Sequence, residues 1–312
     1  FRETPQSIRD KNYRDLVPLS PGAFGYSVLR ANALSDLFNE FMDHCRDHDF
    51  ALEGLHCETG PGVWEAAISV DDGLVAADKA ALFKTFTKSF FNRRDMVATF
   101  MARWSMDYPG QSGHCHQSLV NPATGDNLFY ADDDAYHMSD TMRHYVAGLQ
   151  KYLKPFLALT SPTINSYTRL VKGYWAPTAS TWGIENRTAA LRVIPGEASA
   201  HRVEFRIGSA DANPYLVAAA NIAAGLLGIR EKLEPPSPVT GNAYDLQDEL
   251  PEESQLPGNL LDATRNLAAS REAREMFGDA FIDHFVASRE WEVREYQRHV
   301  NDWQLERYFE II

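Results

Sequence analysis

A chain of 312 residues, 44% of them hydrophobic, can bury a sizeable core as one large domain or two smaller ones. Its formal charge of −13 argues against a nucleic-acid partner, which would require a Lys/Arg surplus to displace condensed counterions, and no apolar run reaches the roughly 18 residues of a membrane helix. Cys45, Cys57 and Cys115 are too few and too scattered for a disulfide framework and form no CxxC pair, which points to a reduced, cytoplasmic setting.

The opening residues, Phe1-Arg2-Glu3-Thr4-Pro5, lack an initiator Met and the basic-then-apolar order of a signal peptide, and read as a truncation. A helix is expected around residues 31–48. The stretch Leu55-His56-Cys57-Glu58 then reads as a strand with His56 and Glu58 on one side, and residues 63–68 as a strand that sets Glu65 against Trp64. A second helix is expected around 77–91, where Phe83, Phe86, Phe90 and Phe91 recur at near-helical intervals. In residues 113–119, His114, His116 and Ser118 share one side of a strand. Met138, Met142, Tyr145, Val146, Leu149, Leu153, Phe156 and Leu157 keep the 3–4 spacing of a core-facing helix.

The clearest polar strand is His201–Ile207, with Arg202, Glu204 and Arg206 against Val203, Phe205 and Ile207. A carboxylate between two guanidinium groups suits carboxylate or phosphate recognition, although a solvated, ion-paired strand is the plainer alternative. Residues 212–232 read as an Ala-rich helix opened by Asn213-Pro214, and 279–308 as a charged helix whose run from Arg289 to Glu295 is a solvated face. Glu58, Glu65 and Glu204 with His114, on separate strands, suit a hard divalent cation such as Mg²⁺ or Mn²⁺ better than zinc. His114 and His116 cannot chelate one ion as HExxH does on a helix, so they serve different ligands.

At these residues the chain resembles the glutamine synthetase family, in order across roughly residues 50–220. Glu58 to Glu65 resembles its paired-glutamate motif, Gly110 to Ser118 its glycine-rich His-Cys-His motif, and Asn165 to Arg169 its glutamate-binding segment. Asn186-Arg187, Arg192, Arg202 to Arg206 and Asp211 to Tyr215 follow in family order. The resemblance implies an α+β catalytic domain over residues 1–312, a curved and largely antiparallel sheet whose polar face forms a cleft, backed by helices. It also implies a ligase that uses ATP to phosphorylate the γ-carboxylate of glutamate and then lets ammonia or an organic amine displace the phosphate. By the same resemblance Glu58 and Glu65 hold the metal nearer glutamate, and His114 and Glu204 the metal bridging the ATP phosphates. Gly110, Arg169 and Arg206 take glutamate; Arg187 and Arg192 stabilise the transferring phosphoryl group; His116, Ser118, Arg192 and Arg202 take the nucleotide.

Three departures bear on specificity. Trp175 stands in Gly173–Pro177 where the family's flap carries a glutamate that helps deprotonate ammonium; an indole instead offers an apolar or cation–π wall, which favours polyamines or alkylamines. The alternative is that Trp175 only caps the site and Glu185 takes the proton. Pro109 and Val63 replace the family's Asn and Gln, and Tyr244 sits where some members are adenylylated but reads as an ordinary loop tyrosine. The family also places a β-grasp domain and a Glu-x-Glu metal strand ahead of the point matching Phe1, and builds homo-oligomeric rings with active sites between subunits; without those ligands little or no ligase activity is expected. The other readings are a glutamine synthetase using ammonia, a non-catalytic relative and a phosphoguanidino kinase.

Overall fold

The phenylalanines spaced along one expected helix decide where the first core forms. The computed structural model describes residues 1–311 and divides into two compact units, one of residues 1–112 with 213–219, the other of residues 113–212 and from 220 onward. In the first unit, α1 (Pro5–Asp10), α2 (Val28–Ala33) and α3 (Ser35–Asp47) precede an antiparallel hairpin of β1 (Leu52–Cys57) and β2 (Trp64–Ile68), followed by α4 (Gly73–Asn92). Phe38, Phe41 and Cys45, at i, i+3 and i+7 of α3, pack with Phe90 and Phe91 of α4, Phe50 and Leu19. Each fully buried phenylalanine contributes about 1.5–3 kcal/mol of transfer free energy. Trp64 joins this core, its ring 3.9 Å from that of Phe38, which turns Glu65 to the opposite face of β2.

The helix expected over 31–48 is two helices. The Ser27 side chain accepts from the Arg30 amide and starts α2 early, while Leu34, at φ −119° and ψ 13°, donates its amide to Ala31 and Asn32 and breaks the run before α3.

The second unit holds β3 (Cys115–Gln117), α5 (Asp140–Thr160), α6 (Ser166–Arg169), β4 (Trp182–Ile184), β5 (Leu191–Ile194) and β6 (Arg202–Phe205). Next come α7 (Pro214–Glu231), whose opening residues group with the first unit, then α8 (Ala243–Leu246), α9 (Leu260–Ala269), α10 (Arg271–Phe277), α11 (Asp279–Tyr296) and α12 (Asp302–Tyr308). The strand order is β3-β6-β5-β4, antiparallel except between β4 and β5. Leu191, Val193, Val203 and Phe205 line the buried apolar face of this sheet, and the stripe from Met142 to Leu157 is buried on α5. α5 approaches α7 through glycines: a Cβ on Gly148 would lie 2.2 Å from the Ala224 carbonyl oxygen and 2.7 Å from the Gly228 Cα.

The architecture is α+β, and no helix among the described residues is long and apolar enough to cross a membrane. The charged C-terminal run departs from its expected course twice. It is broken before Asn301, whose capping box with Gln304 starts α12. Its charged face is also partly engaged, because Arg289 donates to the Pro162 carbonyl and the Glu292 carboxylate accepts from the Ile164 amide.

Candidate functional site

In the first unit, hairpin register brings the polar side chains together. β1 and β2 pair His56 with Glu65, and Glu58, just past the end of β1, lies on the same side two residues on. The connection is tight: the Glu58 amide donates to Val63 O at 2.8 Å, and Gly62 takes φ +68° where a Cβ would lie 2.9 Å from the Leu19 nitrogen. His56 Nε2 lies 3.1 Å from Glu58 Oε1 and 3.4 Å from Glu65 Oε2. A donor atom from each of the three lies within 4.8 Å of the others. An oxygen-rich set of this size fits a hard divalent cation. Gly110 is half-buried in the coil that follows α4.

In the second unit, the four-stranded sheet lays a polar row across its strands. Register places His116 of β3 beside Glu204 of β6 and Glu204 beside Arg192 of β5, with Gly183 of β4 at the end of the row. A side chain at Gly183 would meet Asn186 Cβ and Val239 O at 2.8 Å, so the row closes on bare backbone. Glu204 is 2% exposed and bonded on both oxygens: Oε1 accepts from Arg206 and lies 3.1 Å from His114 Nδ1, while Oε2 accepts from Arg192 Nη1 at 3.1 Å. His114 and Ser118 flank β3, and Arg206 follows β6. Arg202 donates from Nε to His116 Nδ1 at 3.1 Å. The face for which a solvated strand was the plainer alternative is largely buried at Glu204 and Arg206, and its charges are compensated within it.

Burial first, then the charges of Arg206, Arg169, His116 and Arg187, hold His114 well below the usual histidine range. Burial also lowers His116, with Glu204 acting against it. Both shifts favour the neutral imidazole. Arg169 is buried, its two Nη atoms donating to the carbonyls of Ile207 and Arg206, and burial together with the Arg206 charge pushes it down to about 10. Arg206 Nε and the Tyr244 hydroxyl are buried without a partner among the described residues. A polar atom in that condition costs stability until a ligand or water meets it.

Other candidates lie outside the strands that form the row. Arg187 is exposed, and Ser118 is exposed beyond β3. Trp175 is 57% exposed in a turn where Gly173 and Trp175 both have positive φ, at 85° and 58°. Two residues outside the expected ligand set join the clusters. His56 was visible as a neighbour of Glu58, but only the register makes it a cross-strand partner of Glu65. Glu185, at φ 50°, accepts from both Nε and Nη2 of Arg192. Together the row offers one carboxylate amid imidazole and guanidinium groups, an arrangement suited to a metal-bridged anion.

Residues 8–308 match the family described as glutamine synthetase, catalytic domain. The chain is 47% identical over 313 residues to a type-1 glutamine synthetase 2 of Dictyostelium discoideum, a match covering 100% of this chain and 60% of the relative. It is 38% identical over 306 residues to a glutamate–isopropylamine ligase of a Pseudomonas species, covering 98% of this chain and 66% of that relative. The chain thus spans less than two thirds of either relative. A solved structure titled GmaS/ADP complex superposes with a TM-score of 0.87 at 30% identity, over 98% of this chain and 70% of that one.

Proposed function

The chain belongs to the glutamine synthetase family, whose catalytic domain it carries, and from that premise we propose that its protein is an ATP-dependent ligase joining glutamate to an organic amine. The observation that carries this reading is the buried Glu204, set between Arg192, Arg206 and His114 on one sheet face, with Arg206 Nε lacking a partner among the described residues. A site built only for stability would satisfy that guanidinium within the fold.

In this reading Glu58 and Glu65 hold one Mg²⁺ or Mn²⁺ and His114 and Glu204 another. When bound, the metals neutralise charge between phosphate and carboxylate. Arg206 receives a carboxylate of glutamate, and Arg169 adds its charge while bracing the backbone at 206–207. Gly110 leaves room for the amino-acid end. Arg187 and Arg192 stabilise the phosphoryl group as it passes from ATP to the γ-carboxylate oxygen, leaving ADP. His116, Ser118 and Arg202 contact the nucleotide. The amine nitrogen then bonds to the carbonyl carbon of the γ-carboxyl group, the bond from that carbon to the phosphate oxygen breaks, and inorganic phosphate and a proton depart. Trp175 presents an indole where the amine enters, which favours an alkyl or polyamine acceptor. Residues 1–312 act as one catalytic domain, within a homo-oligomeric ring in the cytoplasm.

The acceptor has a second reading, ammonia, favoured by the 47% identity to a relative named as a glutamine synthetase. Phosphate release by the full-length protein with glutamate, Mg²⁺ and ATP decides between them across ammonia, methylamine, ethanolamine and putrescine. An organic amine is expected to be the best acceptor. Ammonia as much the best acceptor would overturn the reading of Trp175, and failure of every acceptor together with failure to bind ATP would overturn the ligase.

A further inference from the structure

We infer that His56 is a direct nitrogen ligand of the metal held by Glu58 and Glu65, and that it tilts this site toward Mn²⁺ over Mg²⁺. The inference rests on the reading of those two glutamates as metal ligands. An ion with bonds of about 2.1–2.2 Å sets neighbouring donors roughly 3.0 Å apart at right angles and about 3.5 Å apart at tetrahedral angles. His56 Nε2 stands 3.1 Å from Glu58 Oε1 and 3.4 Å from Glu65 Oε2, so the imidazole already has the separation of a co-ligand from each carboxylate, and a donor atom from each of the three lies within 4.8 Å of the others.

The imidazole is also held in place from its face. Tyr26 stacks on it with ring centres 5.0 Å apart and planes 14° from parallel. Tyr26 is itself pinned, at φ 58° with its amide donating to the Cys57 carbonyl at 2.8 Å. On the third side the hairpin fixes His56 through its register with Glu65. A ligand ordered before the ion arrives loses little freedom on binding it. Mg²⁺ strongly prefers oxygen, whereas Mn²⁺ accepts imidazole readily, so a mixed set of one nitrogen and two oxygens discriminates between them.

The test uses the full-length protein loaded with Mn²⁺, with H114Q removing the imidazole assigned to the other metal. Pulsed electron paramagnetic resonance should show ¹⁴N modulation from a coordinated imidazole in H114Q and lose it in H114Q/H56Q. In the otherwise native protein, H56Q should weaken Mn²⁺ at least about tenfold and Mg²⁺ much less. If E58Q/E65Q abolishes this Mn²⁺ site while H56Q changes neither the affinity nor the ¹⁴N signal, His56 is only a hydrogen-bond neighbour and the inference falls alone. If E58Q/E65Q leaves Mn²⁺ binding intact, the metal assignment of the two glutamates fails and this inference fails with it.

Discussion

Arg192 spans two carboxylates, donating from Nη1 to Glu204 Oε2 at 3.1 Å and from Nε to Glu185 Oε2 at 3.0 Å. One partner is buried in the sheet and the other is exposed at its edge. The guanidinium is therefore oriented by Glu185, while Glu204 keeps its charge compensated. That division separates positioning from stability, and substitutions can test it.

Replacing Glu185 by Gln should weaken nucleotide binding about tenfold with little change in melting temperature. The exposed pair is worth only about 0–1 kcal/mol to the fold, yet it fixes the guanidinium assigned to the phosphates. Nucleotide titration beside a thermal melt checks this; an unchanged affinity would show that Glu185 does not position Arg192.

Glu204→Ala and Glu65→Gln should both abolish ligase activity and differ sharply in stability. Removing Glu204 strands the buried Arg206 and leaves Arg192 half-paired, a loss of about 3–5 kcal/mol. Glu65 is half-exposed on its hairpin, and its change should move stability by no more than about 0.5 kcal/mol. Denaturant unfolding of the two variants distinguishes them.

The pH dependence of stability should carry a mark of Glu3. Its carboxylate accepts from Lys11, Ser7 and the Val17 amide, which together hold it at about 2 against an ordinary 4.5. The folded state thus binds the proton less readily than the unfolded state. The contribution is complete above about 4.5 and is lost as pH falls from there toward 2. Glu3→Gln should lower stability at neutral pH and flatten that acid limb, as read from unfolding midpoints between pH 2 and 7.

Much of this was legible in the chain because strand alternation is a local property. Val203 and Phe205 against Glu204 announce one apolar and one polar face, and the order of the motifs announces the family. What was hidden depends on partners far along the chain. Alternation cannot say whether Glu204 meets solvent or two guanidinium groups and an imidazole, and His56 becomes a neighbour of Glu65 only once the turn through Gly60 and Gly62 sets the register. The Nη atoms of Arg169 are taken up by the carbonyls of residues 206 and 207, a role no motif describes. The break at Leu34 escaped for another reason: apolar spacing runs on through it, while the Ser27 cap starts its own helix.

On the proposed reading Trp175 is the residue on which the choice of acceptor turns, and its setting makes it unusually testable. It stands exposed in a turn with φ 58°, flanked by the buried Ala176, so a substitution there neither opens a core nor removes a backbone contact. Glutamate meets the same left-handed strain as tryptophan at this position, and Trp175→Glu should therefore leave the melting temperature nearly unchanged. The chemistry should change. A carboxylate attracts ammonium and accepts its proton, whereas the indole face favours an alkyl-substituted cation. A differential of about 1.4 kcal/mol between the two acceptors amounts to tenfold in relative kcat/KM. The ratio of kcat/KM for ammonia over that for the best organic amine should thus rise at least about tenfold in Trp175→Glu. Equal ratios in the two proteins would place acceptor selection elsewhere and leave Trp175 as a cap on the site.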